Sequence, residues 1–394
     1  RGRSWRSSRT DRSPASSTAG PRLSVRVVGF GTYDSARHPR VAVLLDGLRW
    51  HGHDVREINR PWTADTASRV RLLHSPRSIG KVIFPLLTAW SQLLFDGFRE
   101  RRSHPDMVVV GYLGHFDVLL ARLIFGKRRI VLDHLVSART TAIDRRVDSR
   151  VTLAVLGVVD QAALACAGTI VVDTPERLAE IPVRRRDDVV VLPVGATSQW
   201  RAVAHMWPAS PSPLRVVFVG VYTPLHGTIT IGEAIGALRH RGDIVFTMIG
   251  TGQDRPATEL AAGSSDYVTW IDWVDPAELP SVLGGHHVAL GIFGTTSKAQ
   301  NVVPTKVYQA IAASRVVVTS ETSPQRRLLG DAGVFVSPGD SAHLVKALTS
   351  LAEHPSELMA MRAQMQRSEC DVRPEALVRP LFSRSTIGKR VMHP

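Results

Sequence analysis

The chain reads as an α/β protein of two tandem, doubly wound domains, each built on a parallel sheet, facing a central cleft. Three observations predict this. From residue 23 onward short β-branched runs alternate with amphipathic helical stretches, and the strands lack polar alternation, as strands covered on both faces do. One Pro- and Ser-rich stretch, "SQWRAVAHMWPASPSPL" (198–214), interrupts the rhythm, and a second α/β series follows it. A length of 394 residues is enough for two cores of ordinary size.

The first series opens with strand "SVRVVGF" (24–30) and helix "PRVAVLLDGLRWHG" (39–52), then strand "DVREIN" (54–59). After a long helical region come strand "DMVVVGYL" (106–113), helix 116–126 and strand "RRIVLDH" (128–134), then helix 151–168 and strands "TIVVDT" (169–174) and "DVVVLPVG" (188–195). The second series runs from "RVVFVG" (215–220) through "IVFTMIG" (244–250), "YVTWIDWV" (267–274) and "VALGIFG" (288–294) to "RVVVTS" (315–320) and "GVFVSP" (333–338), with a helix after each strand. The expected divisions are a basic tail 1–22, a first domain 23–197, a linker 198–213, a second domain 214–365 and a C-terminal tail 366–394. That tail lacks a clear helix that would cross back to the first domain.

Apolar content of 44% and charged content of 21% are those of a soluble globular chain. The formal net charge of +14 favours anionic partners, but Arg1, Arg3, Arg6, Arg9 and Arg12 of the tail supply part of it, so no nucleic-acid partner is expected. Cys166 and Cys370 lie far apart, in no disulfide or zinc pattern, and a reducing cytoplasm is the expected compartment. The basic N-terminus has no apolar run of a leader. The longest apolar segment, "VIFPLLTAWSQLLFDGF" (82–98), falls short of the roughly 20 apolar residues a membrane span needs. It reads as a buried helix of the first domain, or alternatively as an amphipathic surface touching the inner face of a membrane or a lipid-linked acceptor.

The nucleotide fingerprints are incomplete. "GFGTYD" has Asp34 and "GTGQDR" has Arg255 where the third Gly would stand, and there is no P-loop, nucleophile elbow or metal-ligand spacing. Strand ends remain. "VGVYTPLHG" (219–227) leads from a strand into a helix and offers backbone N–H groups to a phosphate. "GIFGTTSKAQN" (291–301), with Lys298 and Asn301, leads into "VVPTKVYQAIA". There Pro304 suits a helix start, and Lys306 and Gln309 share one face a turn apart.

The ordered set "VVFVGVYTPLHGTITIGEAI", "TMIGTGQD", "VTWIDWVDPAELP", "PTKVYQAIAASRVVVTS" and "GVFVSPGD" resembles the donor-binding half of a family 4 glycosyltransferase of GT-B fold, that is, with two Rossmann-like domains. "RVVGFGTYDSARHPRVAVLLDGLRWHGHDV" fits the acceptor-binding half, and "PxKVYQ" is most similar to the actinobacterial members. The resemblance covers about residues 23–365. It implies a nucleoside-diphosphate sugar co-substrate, no other cofactor, no metal, and transfer to an acceptor hydroxyl of a small molecule, lipid or glycan with retention of configuration. It implies donor contacts from Gly29, Gly31, Gly220, His226, Lys298, Asn301, Lys306 and Gln309. It also matches His134, at the end of a first-domain strand, to the family's active-site histidine beside the sugar, while Lys306 and His226 are this chain's own candidates for the cations of the reaction. Arg40, His115, Asp117 and Asp133 are weaker candidates, and Tyr267, Trp270 and Trp273 read as core or strand-edge aromatics.

The chain departs from the family pattern in two places. Asn301 and Gln309 stand where the E-x7-E carboxylates are usual, and Val221 and His226 where an Arg and a Lys usually hold the diphosphate. Stabilising the leaving diphosphate is a large part of such catalysis, so losing two cations would abolish useful turnover unless they are replaced. Lys306, in the first turn of its helix, is the expected replacement, with Lys298 and a protonated His226 behind it. Amides can still bond sugar and ribose hydroxyls. The departures also suit an alternative, a nucleotide-sugar-binding pseudoenzyme acting as partner or scaffold, and an epimerase of the same fold is a third reading.

Overall fold

The computed structural model describes residues 24–35, 39–61, 79–111 and 114–384. The expected basic tail, 1–22, lies outside them. Two six-stranded sheets are parallel throughout. The first holds β1 (Arg26–Gly31), β2 (Asp54–Asn59), β3 (Met107–Val110), β4 (Ile130–Asp133), β5 (Thr169–Val172) and β6 (Val189–Val191), in the order β2-β1-β3-β4-β5-β6. The second holds β7 (Leu214–Val219), β8 (Ile244–Ile249), β9 (Val268–Ile271), β10 (Val288–Leu290), β11 (Val316–Ser320) and β12 (Val334–Val336), in the order β12-β11-β10-β7-β8-β9. Strand order reverses between β1 and β3 and between β7 and β10, and doubly wound sheets take ligands at the carboxyl ends of such strands.

Alternate residues of one strand feed two cores. Val27, Val109, Val131 and Val171 face helix α1 (Arg40–Trp50) through its Val41, Leu44, Leu45 and Leu48. Val28, Phe30, Val108, Val110 and Leu132 face the other way. That second side is covered by α2 (Ile79–Arg101), α3 (Asp117–Phe125) and, beyond the short α4 (Ala138–Asp144), α5 (Arg150–Cys166). In the second domain α6 (Thr228–Leu238) covers one face. The short α7 (Ser297–Asn301) leads into α8 (Thr305–Ala312), which buries Val307, Tyr308, Ala310 and Ile311 on the other.

Two segments differ from the expectation. The Pro-rich stretch 198–213 includes a helix, Ser198–Ala202, and its Trp200 and Val203 pack into the second core. Arg315, fully buried, fastens the stretch by donating to the carbonyls of Ala204 and Met206 as well as Gly284 and His286. The C-terminal segment crosses back to the first domain. Val372 accepts from Ala196 N at 3.1 Å, Glu375 O lies 2.8 Å from His51 Nε2, and Val378 and Leu381 enter the α1 core.

Candidate active site

The second-domain half of the site begins where β7 ends. The chain turns through Gly220 and the exposed Val221, and Gly227 caps α6 in the left-handed region at φ 59°. A Cβ on Gly227 would stand 2.4 Å from the Phe293 carbonyl carbon and Gly294 N, so only glycine lets this loop press against the loop after β10. Within the first loop, His226 Nδ1 hydrogen-bonds the Val221 carbonyl. A carbonyl only accepts, so Nδ1 carries the proton. Burial, with the neighbouring Lys306 as a second cause, pushes the His226 pKa well below the usual imidazole range. His226 is therefore neutral near pH 7, and the expectation that it supplies a cation is corrected.

Lys306 rises from the first turn of α8 into the same place. Its Nζ lies 3.7 Å from the centroid of the Phe218 ring, and a Cβ on Gly220 would come within 2.6 Å of it. Nζ is sealed from solvent and has no hydrogen-bond partner among the described residues. Burial alone pushes its pKa well below the ordinary lysine range. A buried, unpaired amine is costly, and an anion at the end of β7 would relieve that cost. Gln309 follows one turn later, half-buried.

Lys298 is turned toward the first domain, donating to Thr141 Oγ1 at 2.9 Å, and burial brings its pKa down to about 8. The Asn301 carbonyl accepts from Thr174 Oγ1 at 2.6 Å, and Thr296 Oγ1 donates to Asp144 Oδ1 at 2.7 Å. Arg327 pairs with Glu176. Thus α7 and the residues beside it meet helix α4 and the segment after β5 across the cleft.

In the first domain Gly29 is mid-strand. It is packed between Leu45 and Tyr33, where a Cβ would meet each at 2.8 Å, so its placement in a ligand loop is corrected. Gly31 ends β1, and next to it Thr32 N and Oγ1 donate to Asp117 Oδ2 at 2.7 and 2.8 Å. His134 follows β4 but is 3% exposed, its ring 5.7 Å from that of His115. Burial, then the charge of Arg177, lowers its pKa to about 3, so the resting ring is neutral near pH 7. Arg40 is not available to a phosphate either. It donates to Asp133 Oδ1 at 3.3 Å and to the carbonyls of Leu192, Pro193 and Val194, and so holds the crossing between the domains.

Sequence reading missed the polar frame under the cleft. Asp160 on α5 accepts from Ser137 Oγ at 2.8 Å and from the Ala138 and Arg139 amides, and His115 Nε2 stands 2.9 Å away, outside hydrogen-bond alignment. Burial pushes the Asp160 pKa up, but His115 and these donors outweigh it and hold it at about 2. Arg177, buried, donates to Leu135 O, Asp173 and Glu180. The only signal was Ser137 before a helical run, where its hydroxyl caps α4. Of the aromatics, Trp270 packs on the core under the Arg255 guanidinium, which sits 4.7 Å from its ring, whereas Trp273 is exposed beyond β9. Among the described residues no group of three His, Cys, Asp or Glu is placed to hold a metal.

Residues 213–354 match the family model described as "Glycosyl transferases group 1". No curated protein matches the chain in sequence. Among solved structures, sucrose-phosphate synthase from Thermosynechococcus elongatus superposes with a TM-score of 0.64 at 13% identity, over 93% of this chain and 98% of that one. An α,α-trehalose-phosphate synthase (UDP-forming) from Burkholderia vietnamiensis gives 0.63 at 12% over 92% and 96%, and Anabaena HepE in complex with UDP and glucose 0.62 at 11% over 91% and 98%. The fold is therefore GT-B, two Rossmann-like domains about one cleft. The second domain matches the group 1 transferase model, and the two findings together support a glycosyltransferase.

Proposed function

We propose that the chain transfers a sugar from a nucleoside-diphosphate sugar to an acceptor hydroxyl, with retention of configuration and without a metal, as a cytoplasmic family 4 enzyme of the actinobacterial type. The second domain takes the donor and the first the acceptor. The carrying observation is the sealed, unpartnered Nζ of Lys306 at the end of β7. A diphosphate there would give the amine its partner and favour its charged form, and the N-terminus of α8 adds a favourable dipole. Asn301 and Gln309 would bond hydroxyls of the donor. The solved neighbour HepE is in complex with UDP and glucose, which supports a donor of this class.

One observation favours a second reading, a nucleotide-sugar-binding pseudoenzyme. Val221 is apolar and His226 neutral, so the usual pair of diphosphate cations is absent. The two readings separate when nucleotide release is followed across UDP-, GDP- and dTDP-sugars, with and without acceptors. We expect release that persists in excess chelator and falls at least ~100-fold in Lys306→Ala. Product anomers read by NMR test retention. Binding without release selects the pseudoenzyme, release restored only by a divalent ion refutes metal independence, and unchanged kinetics in Lys306→Ala remove the lysine from the site.

A further inference from the structure

The layer of α2, α3 and α5 over the first sheet has an apolar outer surface as well as an apolar inner one. On α2, Leu93 and Gly97 face inward, while Phe84, Leu87, Phe95 and Phe98 stand outward at 45 to 74% exposure. Segment 82–98 is thus amphipathic, with a buried face and an exposed apolar one. On the neighbouring α3 the outward positions, together with Phe116 just before it, are Phe116, Leu119 and Leu123. On α5 they are Val151, Val155 and Val158, at 56 to 75%. Each set repeats at helical spacing, and α3 packs against both α2 and α5, so the three stripes lie side by side.

Acids are withheld from this surface. Asp117 and Asp160 are buried, Asp96 pairs with Arg60, and Glu100, half-buried, accepts from Ser103 and lies 3.9 Å from Arg56. Cations gather at the end of the layer where α2 and α3 finish: Arg99, Arg101, Arg102, Arg122 and Arg128 are exposed, and none has an acidic partner among the described residues. A broad apolar face on a monomer marks an interaction surface, and an apolar face edged by unpaired cations matches an anionic lipid surface in both respects. Among the described residues no helix is long and apolar enough to cross a membrane.

We propose that the α2–α3–α5 face docks the protein on an anionic bilayer, the aromatic side chains entering the acyl boundary and the arginines meeting the headgroups. The inference is independent of the sugar-transfer reading, since docking uses none of the cleft residues. The full chain is sedimented with vesicles of 30% phosphatidylglycerol in phosphatidylcholine and with pure phosphatidylcholine. Binding is expected to the first, weakened by salt, and at least tenfold less to the second. Phe84→Ser/Phe95→Ser/Leu123→Ser, at exposed positions, should lower the partition at least tenfold with thermal unfolding unchanged. Arg101→Glu/Arg102→Glu/Arg128→Glu should remove about fivefold or more per site. A variant with Ser at Arg1, Arg3, Arg6, Arg9 and Arg12 should still bind. No binding to anionic vesicles, loss on changing the tail alone, or a dimer in solution that the apolar variant dissociates would each overturn the proposal.

Discussion

Lys306 shows how one residue's burial becomes a property of binding. Its amine is sealed beside Phe218 with no hydrogen-bond partner among the described residues, and burial sets its pKa well below the ordinary 10.5. A bound diphosphate favours the charged form and raises that pKa. Below both values the lysine is an ammonium in either state and affinity does not change with pH. Between them the free protein holds a neutral amine, and binding must take up a proton. Each pH unit upward through that window therefore weakens donor binding by up to about tenfold, or ~1.4 kcal/mol. Calorimetry of nucleotide-diphosphate binding in two buffers of different ionisation enthalpy should find uptake approaching one proton, and none in Lys306→Met. A flat pH profile with no buffer dependence would mean that Nζ does not meet the phosphate.

At the scale of elements, the loop from β7 into α6 depends on Gly227. Two costs fall on Gly227→Ala: about 1–2 kcal/mol for a left-handed residue with a Cβ, and a backbone clash 2.4 Å away that separates the loops after β7 and β10. Gly52→Ala is the control. Its φ is 83° but nothing lies within 4 Å of the new Cβ, so it carries the first cost alone. Nucleotide affinity should fall at least about tenfold in Gly227→Ala and stay unchanged in Gly52→Ala. Equal affinities would show that the loop contact does not shape the site. The strands were legible because strands covered on both faces need near-continuous β-branched runs, as "MVVV" and "VVVTS" are, and Pro304 and the turn chemistry placed α8. The returning C-terminus was not, because its helices, Pro374–Leu377 and Arg379–Arg384, are too short to show a period. Nor were the buried roles of Arg40, Arg177 and Arg315, since an arginine reads as surface until the carbonyls that surround it are known. Lys306 and Gly220 were singled out by position in a motif, and the fold brings them into contact. The neutrality of His226 and His134 came from burial, which a sequence does not display.

The whole molecule is held by two crossings of chain and a set of weak latches. The crossings run side by side, joined where Ala196 N donates to Val372 O, and Arg40 braces the first of them through the carbonyls of 192–194. Opposite them the cleft is bridged by Lys298 to Thr141, Thr296 to Asp144, Thr174 to the Asn301 carbonyl and Arg327 to Glu176. A hydrogen bond of this kind is worth roughly 0.5–1.5 kcal/mol net, and a part-exposed ion pair about 0–1. Three of the four bridges start or end within residues 296–301, the segment that carries Asn301, so under the proposed function closing the cleft and ordering the donor site are one equilibrium. Thr174→Val/Thr141→Val removes two bridges from the first-domain side, about 2 kcal/mol, and should move that equilibrium about thirtyfold toward the open form. The radius of gyration of the ligand-free variant should rise in small-angle scattering and fall again with saturating nucleotide, which restores closure by binding the closed form more tightly. Apparent donor affinity should drop by no more than the same factor, because the variant alters the population of the competent state and not its contacts. A variant as compact as the parent, with unchanged affinity, would place the resistance to opening in the paired crossings instead.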